Sequence, residues 1–344
     1  MKVKARAFVE YDSIADFVEL DLEGLPRPVM HIGSGSNLLF TDDFKGTVIH
    51  SGIRFIEPLD GNEEMLQEET GKVAVTVGAG TVFDEFCAWA ASKGLWGAEN
   101  LSGIPGEAGA AAVQNIGAYG AEVKDIIRTV YCYDLEEEEF VHFDVSECNY
   151  GYRDSIFKHP GFKGRYIVTH VVFVLSSVPE PRLDYGHLKE AVEAAVKPGE
   201  EITPAIVRKT VLDIRGRKLP DPAVIGSAGS FFKNPVITLE HFATISSAAK
   251  EQYGPSFEVP HYIVSSVDGQ TPDMVKVPAA WMIEQCGWKG KRQGGAAVYD
   301  KQPLVLVNYT GNAFPEEIIG LEKRIVASVK EKFGVELHPE VEII

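Results

Sequence analysis

Alternation of apolar and polar residues, or a short apolar run between turn residues, predicts strands at several points along the chain. Val73, Val75 and Val77 alternate as in a half-buried strand, and RYIVTHVVFVLSS predicts another. TVYCYDLEEEEFVHFDV predicts a hairpin whose acidic tip, Glu136–Glu139, is a solvated turn. After Pro28, VMHIGSGSNLLF predicts a buried strand, a Gly/Ser turn and a returning apolar strand, and GAAVYDKQPLVLVN predicts a strand pair.

Helical spacing of apolar residues predicts helices between these strands. In TVFDEFCAWAASKGLW, Thr81 and Asp84 have the spacing of a capping pair, and Val82, Phe83, Phe86 and Ala90 share one helical face. A second helix is expected from Thr203, with Pro204 in its first turn, to RGRKLPDP, where two prolines mark a boundary. Further helices are expected around LEHFATISSAAKEQ and from Pro315, and VELHPEVEII closes the chain in an extended form.

Length and composition predict a multidomain globular protein, and the predicted strands and helices make it α+β. The chain has 344 residues, enough for two or three domains, with 45% hydrophobic and 24% charged residues. The formal net charge of -17 disfavours nucleic acid and anionic membranes as partners, so any bound phosphate needs local cations and backbone amides. No apolar run reaches membrane-spanning length, and MKVKARAFVEYDS lacks the features of a secretory signal. Four scattered cysteines without metal-type spacing indicate reduced thiols, and we expect a cytoplasmic protein without a metal site.

Two glycine-rich segments are candidate ligand-binding loops. Gly33, Ser34, Gly35, Ser36 and Asn37 follow a predicted strand, where small residues let backbone amides approach an anion. This is not a Rossmann fingerprint, because the third glycine is missing and a strand follows; a tight turn without a ligand explains it equally well. A longer segment, LSGIPGEAGAAAVQNIGAYG, is rich in glycine and alanine and so has few large side chains. This composition allows either a flat ligand or another stretch of backbone to pack against it. Neither GxxxxGK[ST], HExxH nor GxSxG occurs in the chain, which disfavours nucleotide hydrolysis, zinc proteolysis and serine-esterase chemistry.

Polar residues in unusual settings are candidates for chemistry. In GSAGSFFKNP, Ser230 lies between a glycine and two phenylalanines, which suits neither a surface turn nor a core strand. Arg153 in YGYRDSIFK could clamp a carboxylate, although it could equally be a surface arginine. Lys218, beside Arg215 and Arg217, could hold a diphosphate or simply favour a helix C-terminus. Glu340 in HPEVEII would suit proton chemistry if buried, while a solvated terminal glutamate is the ordinary alternative.

Taken together, these motifs resemble the UDP-N-acetylenolpyruvoylglucosamine reductase (MurB) family. The ordered series GSGSNLLF, LSGIPGEAGAAAVQNIGAYG, YGYRDSIFK, RGRKLPDP, GSAGSFFKNP, GGAAVYDKQPLVLVN and HPEVEII carries the resemblance from about Val29 to the terminus, and YGYRDS is similar to the type I branch. The family usually begins with an N-T-F-G-like segment, and this chain is expected to begin inside or just after it.

The resemblance implies a FAD-binding fold of the vanillyl-alcohol-oxidase (PCMH) type in two subdomains, followed by an α+β substrate domain. The implied domains are residues 1–54 with 335–344, residues 55–213, and residues 214–334. The implied activity is NADPH-dependent, FAD-mediated reduction of enolpyruvyl-UDP-GlcNAc to UDP-N-acetylmuramate in peptidoglycan synthesis. Hydride passes from flavin N5 to C3 of the substrate, and NADPH leaves before the substrate binds. FAD is non-covalent, and the protein is expected to be a cytoplasmic monomer acting on small molecules.

The resemblance also implies roles for individual residues. Ser230 corresponds to the general acid that protonates C2, while Arg153 and Glu340 correspond to the residues that stabilise the enolate. The residues expected around FAD are Gly33, Ser34, Gly35, Ser36, Asn37, Gly103, Ile104, Pro105, Gly106, Gln114, Asn115, Gly117, Ala118, Tyr119 and Gly120. The residues expected around the UDP-sugar are Tyr185, Lys218, Asn234, Lys289 and Gln302.

Two alternatives to this function stay open on the sequence. A FAD oxidase of the same fold would be expected to carry a His or Cys for covalent flavin attachment, and neither GSGSNLLF nor QNIGAYG contains one. A non-catalytic nucleotide-sugar-binding protein would be expected to have lost Ser230 or Arg153, and both are present.

Overall fold

The computed structural model describes residues 3–59, 71–264 and 274–344. The helices in these residues are α1 Ile14–Val18, α2 Phe83–Ser92, α3 Ala108–Gln114, α4 Leu188–Ala195, α5 Pro204–Lys218, α6 Leu239–Tyr253, α7 Ala279–Gln285 and α8 Pro315–Phe333. The strands are β1 Ala5–Tyr11, β2 Val29–Ile32, β3 Leu38–Leu39, β4 Phe44–Ser51, β5 Ile56–Pro58, β6 Lys72–Gly78, β7 Gly117–Ala118, β8 Ala121–Glu122, β9 Ile127–Asp134, β10 Glu139–Asp144, β11 Tyr166–Ser176, β12 Gly226–Ser230, β13 Val236–Thr238, β14 Tyr262–Val264, β15 Met274–Lys276, β16 Arg292–Gln293, β17 Ala296–Val298, β18 Val305–Asn308 and β19 Glu342–Ile343.

The chain divides into two compact units. The N-terminal unit comprises Lys4–Ser36 and Asp43–Arg215, and the C-terminal unit comprises Val3, Asn37–Asp42 and Gly216–Ile344. The chain therefore enters the C-terminal unit briefly at Asn37, before its main passage at Gly216. The three-domain division expected from the sequence, with its boundaries at 54, 213 and 334, stays a prediction.

The N-terminal unit contains a small parallel sheet and a larger antiparallel sheet. The parallel sheet has the strand order β1-β4-β2, and the antiparallel sheet has the order β10-β9-β11-β6-β5. The buried residues Val75, Val77, Phe83, Phe86 and Phe173 belong to one core cluster, and Phe86 stacks on Phe173 with ring centroids 4.7 Å apart. The strands and the helix α2 thus share one core, since an amphipathic helix must bury its apolar face against the sheet.

Helix α3 covers the same core by close backbone packing rather than by large side chains. Its sequence is AGAAAVQ, and a Cβ added at Gly109 would lie 2.9 Å from the Cβ of Ala79, just beyond β6. Only a glycine lets the helix approach the sheet end this closely. As a result, α3 starts beside the loop that follows β2 and ends at the segment containing Asn115.

In residues 216–264 and 274–344, the C-terminal unit is built around two antiparallel sheets and three helices. The sheet orders are β12-β18-β17-β16 and β13-β15-β14, and the terminal strand β19 pairs in parallel with β3. Helix α8 buries Ile318, Leu321, Ile325 and Val329 at helical spacing in the same core cluster as Phe231 and Phe232. The core of this unit therefore lies directly behind the segment that carries Ser230.

Most of the predicted elements are confirmed. The strands at Val73–Val77 and RYIVTHVVFVLSS, the acidic hairpin, the pair β17–β18 and the helices α2, α5, α6 and α8 lie where the sequence places them. The predicted Thr81–Asp84 capping pair is wrong, because α2 begins after Val82 without a side-chain cap. The Thr81 hydroxyl instead donates to the carbonyl of Phe55, 3.1 Å away.

Candidate functional site

The two predicted glycine-rich loops lie side by side in the N-terminal unit. A Cβ added at Gly33 would lie 3.1 Å from Oε2 of Glu107 and 3.2 Å from the Cβ of Ala110 in α3. A Cβ added at Gly106, whose φ is +119°, would lie 3.4 Å from Oγ of Ser36. The loop Gly33–Ser36, which follows β2, therefore packs against the loop Gly103–Gly106 and the start of α3.

The Gly33–Ser36 loop presents polar groups without partners inside the protein. Within the described ranges, the backbone N–H groups of Ser34, Gly35 and Ser36 donate no hydrogen bond to another residue, and neither hydroxyl is paired. Gly35 has a φ of +69°, and a Cβ added there would meet nothing within 4 Å. Successive unpaired amides beside open space are suited to an anion such as a diphosphate, so these residues fit a FAD diphosphate.

The Gly103–Gly106 loop is held by charged groups from two helices. Asp84, in the first turn of α2, accepts a hydrogen bond of 2.6 Å from the N–H of Gly103 and pairs with Arg208 of α5 at 2.8 Å. A Cβ added at Gly103 would lie 3.0 Å from Nε of Arg215, also on α5. Arg208 and Gly103 lower the pKa of Asp84 against the opposing effect of burial, so the carboxylate stays charged. Burial lowers the pKa of Arg215.

Arg153 lies against the predicted QNIGAYG segment. Its guanidinium donates to the carbonyl of Gly117 and, over 3.3 Å, to the carbonyl of Asn115. Its backbone is left-handed, with a φ of +54°, and its guanidinium lies 5.3 Å from the ring centre of Tyr152. The sequence resemblance placed these residues in one site, and the structure brings Arg153 together with Asn115 and Gly117.

The side chain of Asn115 is fully engaged within the protein. Nδ2 donates to the carbonyl of Gly151 at 2.7 Å and to Glu122 at 3.1 Å, while Oδ1 accepts from the N–H of Lys124. Asn115 is buried and left-handed at the end of α3. Its amide therefore fixes the loop, and what it can offer to a ligand is limited to its backbone.

Lys158 is a residue that the sequence reasoning missed. Its Nζ donates to the backbone carbonyl of Arg153 at 2.8 Å and to Oε1 of Gln114 at 3.0 Å. Nearby, Ser155 donates to the carbonyl of Val113 at 2.7 Å. These bonds join the segment of Arg153 to the C-terminal end of α3. The lysine in YGYRDSIFK is the only sequence signal, and its spacing from Gln114 gives no local pattern.

Tyr185 and Tyr119 also come together. Their rings meet edge to face with centroids 6.2 Å apart, and a Cβ added at Gly120 would lie 3.2 Å from the Cβ of Tyr185. Burial raises the pKa of Tyr119. The predicted substrate tyrosine, Tyr185, therefore covers the end of the predicted flavin segment.

A Glu–His–Glu network behind the Gly33–Ser36 loop, buried at His50 and Glu107, was also missed. Nδ1 of His50 lies 2.6 Å from Glu10, and Nε2 lies 2.9 Å from Glu107. Burial alone would lower the pKa of His50, but its hydrogen bonds to Glu107 and Glu10 raise that pKa above the ordinary value. Next to it, burial and the charge of His50 lower the pKa of His31 to about 4.

Ser230 is the last residue of β12 in the C-terminal unit and pairs with Val305 of β18. Gly229 before it has a φ of +74° and open space at the Cβ position. In the described part of the chain, the Ser230 hydroxyl donates to no side chain or carbonyl. Phe231 and Phe232 are 2% and 1% exposed and pack into the core, so they anchor this segment.

Glu340 lies beside the Ser230 segment in the same unit. Its N–H donates to the carbonyl of Phe231 at 2.8 Å, and Phe232 pairs with Pro339. The amide of Asn37 donates to the carbonyl of Glu340 at 3.1 Å, and the carbonyl of Asn37 accepts from the N–H of Glu342. The terminal segment is therefore held on both sides by backbone and amide hydrogen bonds. Half-buried Glu340 is bonded through its backbone to Phe231, the residue that follows Ser230.

The predicted substrate residues of the C-terminal unit have different environments. Lys218 is the exposed last residue of α5. Oδ1 of Asn234 accepts from the N–H of Ala279 at 2.9 Å and so caps the start of α7. Lys289 forms an exposed ion pair of 2.7 Å with Glu284, and the carbonyl of Gln302 accepts from Val305.

Two general findings bear on the class of protein. Among the residues that the structure describes, no three His, Cys, Asp or Glu side chains are grouped so that they could hold a metal ion. Likewise, none of the described helices is long and apolar enough to cross a membrane.

Comparison with known proteins identifies two family models in this chain. Residues 20–144 match a FAD binding domain, and residues 221–344 match the C-terminal domain of UDP-N-acetylenolpyruvoylglucosamine reductase. The FAD-binding domain and the α+β fold expected from the sequence are confirmed. Among solved structures, UDP-N-acetylenolpyruvylglucosamine reductase from Thermus caldophilus is similar, with a TM-score of 0.60 and 24% identity over 98% of this chain and 90% of that one.

Curated relatives extend this similarity along nearly the whole chain. A protein of Bacteroides fragilis is 46% identical over 99% of this chain and 95% of its own length. Proteins of Porphyromonas gingivalis and Chromobacterium violaceum are 43% and 42% identical, covering 92% and 99% of this chain and 86% and 94% of their own lengths. All three are named UDP-N-acetylenolpyruvoylglucosamine reductase, and this chain belongs to the UDP-N-acetylenolpyruvoylglucosamine reductase family.

Proposed function

We propose that this protein reduces UDP-N-acetylenolpyruvoylglucosamine to UDP-N-acetylmuramate, with NADPH as electron donor and FAD as cofactor. The observation that carries the proposal is 46% identity, over 99% of the chain, to the UDP-N-acetylenolpyruvoylglucosamine reductase of Bacteroides fragilis. The arrangement of the predicted residues supports it, because Ser230 and Glu340 are neighbours in one unit and Arg153 contacts the glycine-rich segment in the other. The enzyme would act as a cytoplasmic monomer on small molecules.

FAD would be held by the two glycine-rich loops. Bound FAD supplies the capacity to accept a hydride from NADPH and to deliver one to carbon. The unpaired amides of Ser34, Gly35 and Ser36 would bind its diphosphate, and the Gly103–Gly106 loop would lie alongside. The segment from Gln114 to Gly120 would provide the neighbouring backbone surface. These loops contain no His or Cys, which is consistent with non-covalent binding.

Ser230 would donate the proton to C2 of the substrate. A serine hydroxyl is a weak acid in water, so this role requires an anionic acceptor held close to the hydroxyl and the exclusion of water. The half-buried hydroxyl at the end of β12, with open space at Gly229, suits that role. The buried rings of Phe231 and Phe232 hold the Ser230 backbone in place.

Arg153 and Glu340 would stabilise the negative charge that develops on the substrate carboxylate. Arg153 would do so by its charge, and Glu340 by hydrogen bonding. Each such interaction is typically worth about 3 kcal/mol in the transition state. Lys218, Lys289, Asn234 and Gln302 would contact the UDP-sugar, and Tyr185 would close over it. In this role Asn234 would use its Nδ2 group, because Oδ1 already caps α7.

The experiment that tests this proposal separates the two half-reactions. Under anaerobic conditions, NADPH should bleach the flavin absorbance of the purified protein, and enolpyruvyl-UDP-GlcNAc should restore it. In Ser230→Ala, bleaching by NADPH should keep its rate, while restoration should slow by roughly a thousandfold, since a general acid is removed from the second step only. An equal loss in both steps would contradict the role of Ser230. Wild-type protein that bleaches but is not reoxidised by this substrate would contradict the substrate.

A further inference from the structure

The Glu10–His50–Glu107 network has no part in the chemistry described above, although it places two carboxylates on one largely buried imidazole. The His50 side chain is 10% exposed and that of Glu107 is 4% exposed, while Glu10 is half exposed at 47%. A buried carboxylate is strongly unfavourable unless it is paired and hydrogen-bonded. The network joins β1, β4 and the residue before α3, which come from distant parts of the chain.

The two contacts of the imidazole restrict the charge states that the network can adopt. A neutral imidazole has a single N–H, so it can donate to only one of two carboxylates. Nδ1 contacts Glu10 and Nε2 contacts Glu107, both within hydrogen-bond distance. Both bonds can form together only when His50 is a cation, or when one carboxyl is protonated instead. With both carboxylates charged, His50 carries the positive charge that compensates Glu107.

Glu107 lies where its negative charge would act on an anion bound to the Gly33–Ser36 loop. Its second oxygen, Oε2, would lie 3.1 Å from a Cβ placed on Gly33, so the carboxylate lies directly behind the Gly33–Ser36 loop. An uncompensated carboxylate there would repel any anion bound to the loop amides, and the repulsion would be strong because Glu107 is buried. Glu10 touches the same imidazole from β1, and no contact links it to the loop among the residues that the structure describes.

We propose that His50 is a positioning and charge-compensating residue for the FAD diphosphate, which it serves by neutralising Glu107 behind the Gly33–Ser36 loop. This inference rests on the proposed placement of FAD. Besides Glu10 and Glu107, the titratable groups near His50 are His31 on β2 and Tyr11 on β1. Tyr11 and His31 are hydrogen-bonded to each other at 2.7 Å, and both are uncharged at neutral pH because burial raises the pKa of Tyr11 to about 12 and lowers that of His31 to about 4.

The test is a double-mutant cycle on FAD affinity, measured by quenching of flavin fluorescence at pH 7 without substrate. His50→Gln should weaken FAD binding about tenfold, because it leaves the Glu107 charge uncompensated. Adding Glu107→Gln should restore the Kd to within about twofold of wild type, since the repelling charge is then gone. Glu10→Gln is the matched control: it removes the other carboxylate of the same imidazole and should not rescue His50→Gln.

The opposite results would overturn the inference. A purely structural network would make His50→Gln and Glu107→Gln both harmful and additive, without rescue. Rescue by Glu10→Gln to the same extent would show that only the balance of charge in the core matters. If His50→Gln fails to fold, the test is the pH dependence of FAD affinity in the wild type and in Glu107→Gln. The FAD affinity of the wild type should fall as pH rises, because His50 loses its proton. Glu107→Gln should lose this pH dependence. Wild-type protein that binds FAD but does not oxidise NADPH would contradict the proposed function alone.

Discussion

Arg153 is a non-glycine residue held in a strained backbone conformation. Its φ of +54° is in the left-handed region, which costs a side-chain-bearing residue about 1–2 kcal/mol. Such a conformation persists only where the surroundings over-determine it. Here Lys158 bonds the Arg153 carbonyl at 2.8 Å, and the guanidinium bonds the carbonyls of Asn115 and Gly117. The direction in which Arg153 presents its charge therefore depends on Lys158.

Replacing Lys158 with Met should damage one half-reaction selectively. The variant keeps the length of the side chain but loses the bonds to Arg153 and Gln114. Because Arg153 is proposed to act on the substrate and not on NADPH, reoxidation of the flavin should slow by about 10- to 100-fold while reduction changes less than about twofold. Stopped-flow absorbance of each step would measure this.

Lys163→Met provides the control for this prediction. Lys163 is an exposed lysine five residues further along the same segment. Its replacement should leave both rates unchanged. Equal slowing of the two half-reactions in Lys158→Met, or a fall in FAD content, would show a general folding defect rather than a positioning role.

Among the elements, the helices α2 and α5 are joined by a carboxylate that also fixes a loop. Asp84 bonds Arg208 on α5 and the N–H of Gly103. The Arg208 side chain is 15% exposed and that of Asp84 is 34% exposed, so the ion pair is partly shielded from water. One residue thus couples the packing of two helices to the position of the Gly103–Gly106 loop.

The variants Asp84→Ala and Arg208→Met should separate these two effects. Both remove the ion pair, and each should lower the free energy of unfolding by about 2 kcal/mol, as measured by denaturation. Only Asp84→Ala also releases the N–H of Gly103, so it alone should weaken FAD binding, by about fivefold, because one hydrogen bond fixing the loop is lost. Equal FAD affinities in the two variants would show that the loop is positioned without Asp84.

Local patterns predicted these elements well because periodicity records which face is buried. The helix α2 shows Phe83, Phe86 and Ala90 on one face, and α5 begins at Pro204 as expected. The helix α3 was missed, because AGAAAVQ buries itself through small residues and has no large apolar period. Tertiary contacts could not be predicted from local patterns, because their partners lie far apart in the sequence. Asp84 satisfied a capping pattern locally, yet its partner Arg208 lies 124 positions away, and His50 and Glu107 are 57 apart.

At the scale of the whole molecule, the surplus of negative charge makes local compensation necessary. The formal charge is -17, while the proposed ligands carry phosphates and a carboxylate. Long-range attraction therefore cannot assist their binding. In the N-terminal unit, the guanidinium groups of Arg153 and Arg215 and the ammonium group of Lys158 gather near the glycine-rich segments. The cationic character of the site is built locally, from a few positioned side chains.

The stability of the protein should decrease in mild acid because of His31. Burial lowers its pKa to about 4 in the folded protein, whereas the ordinary value is 6.5. Between these values the unfolded chain binds a proton that the folded chain does not, so stability is present above pH 6.5 and is lost as pH falls toward 4. The loss should be about 2 kcal/mol, less than the full shift implies, since His31 is partly exposed.

Comparing the wild type with His31→Gln isolates this contribution from the other titrating groups. Glutamine can keep the hydrogen bond to the Tyr11 hydroxyl but cannot take up a proton. His50 changes in the opposite sense, because its raised pKa adds stability that is lost as pH rises, and it is present in both proteins. Between pH 7.5 and pH 5, the melting temperature of the FAD-bound wild type should therefore fall by about 5 °C more than that of the variant. Parallel curves for the two proteins would show that His31 takes up its proton without cost to the fold, and that the acid sensitivity of the N-terminal unit arises elsewhere.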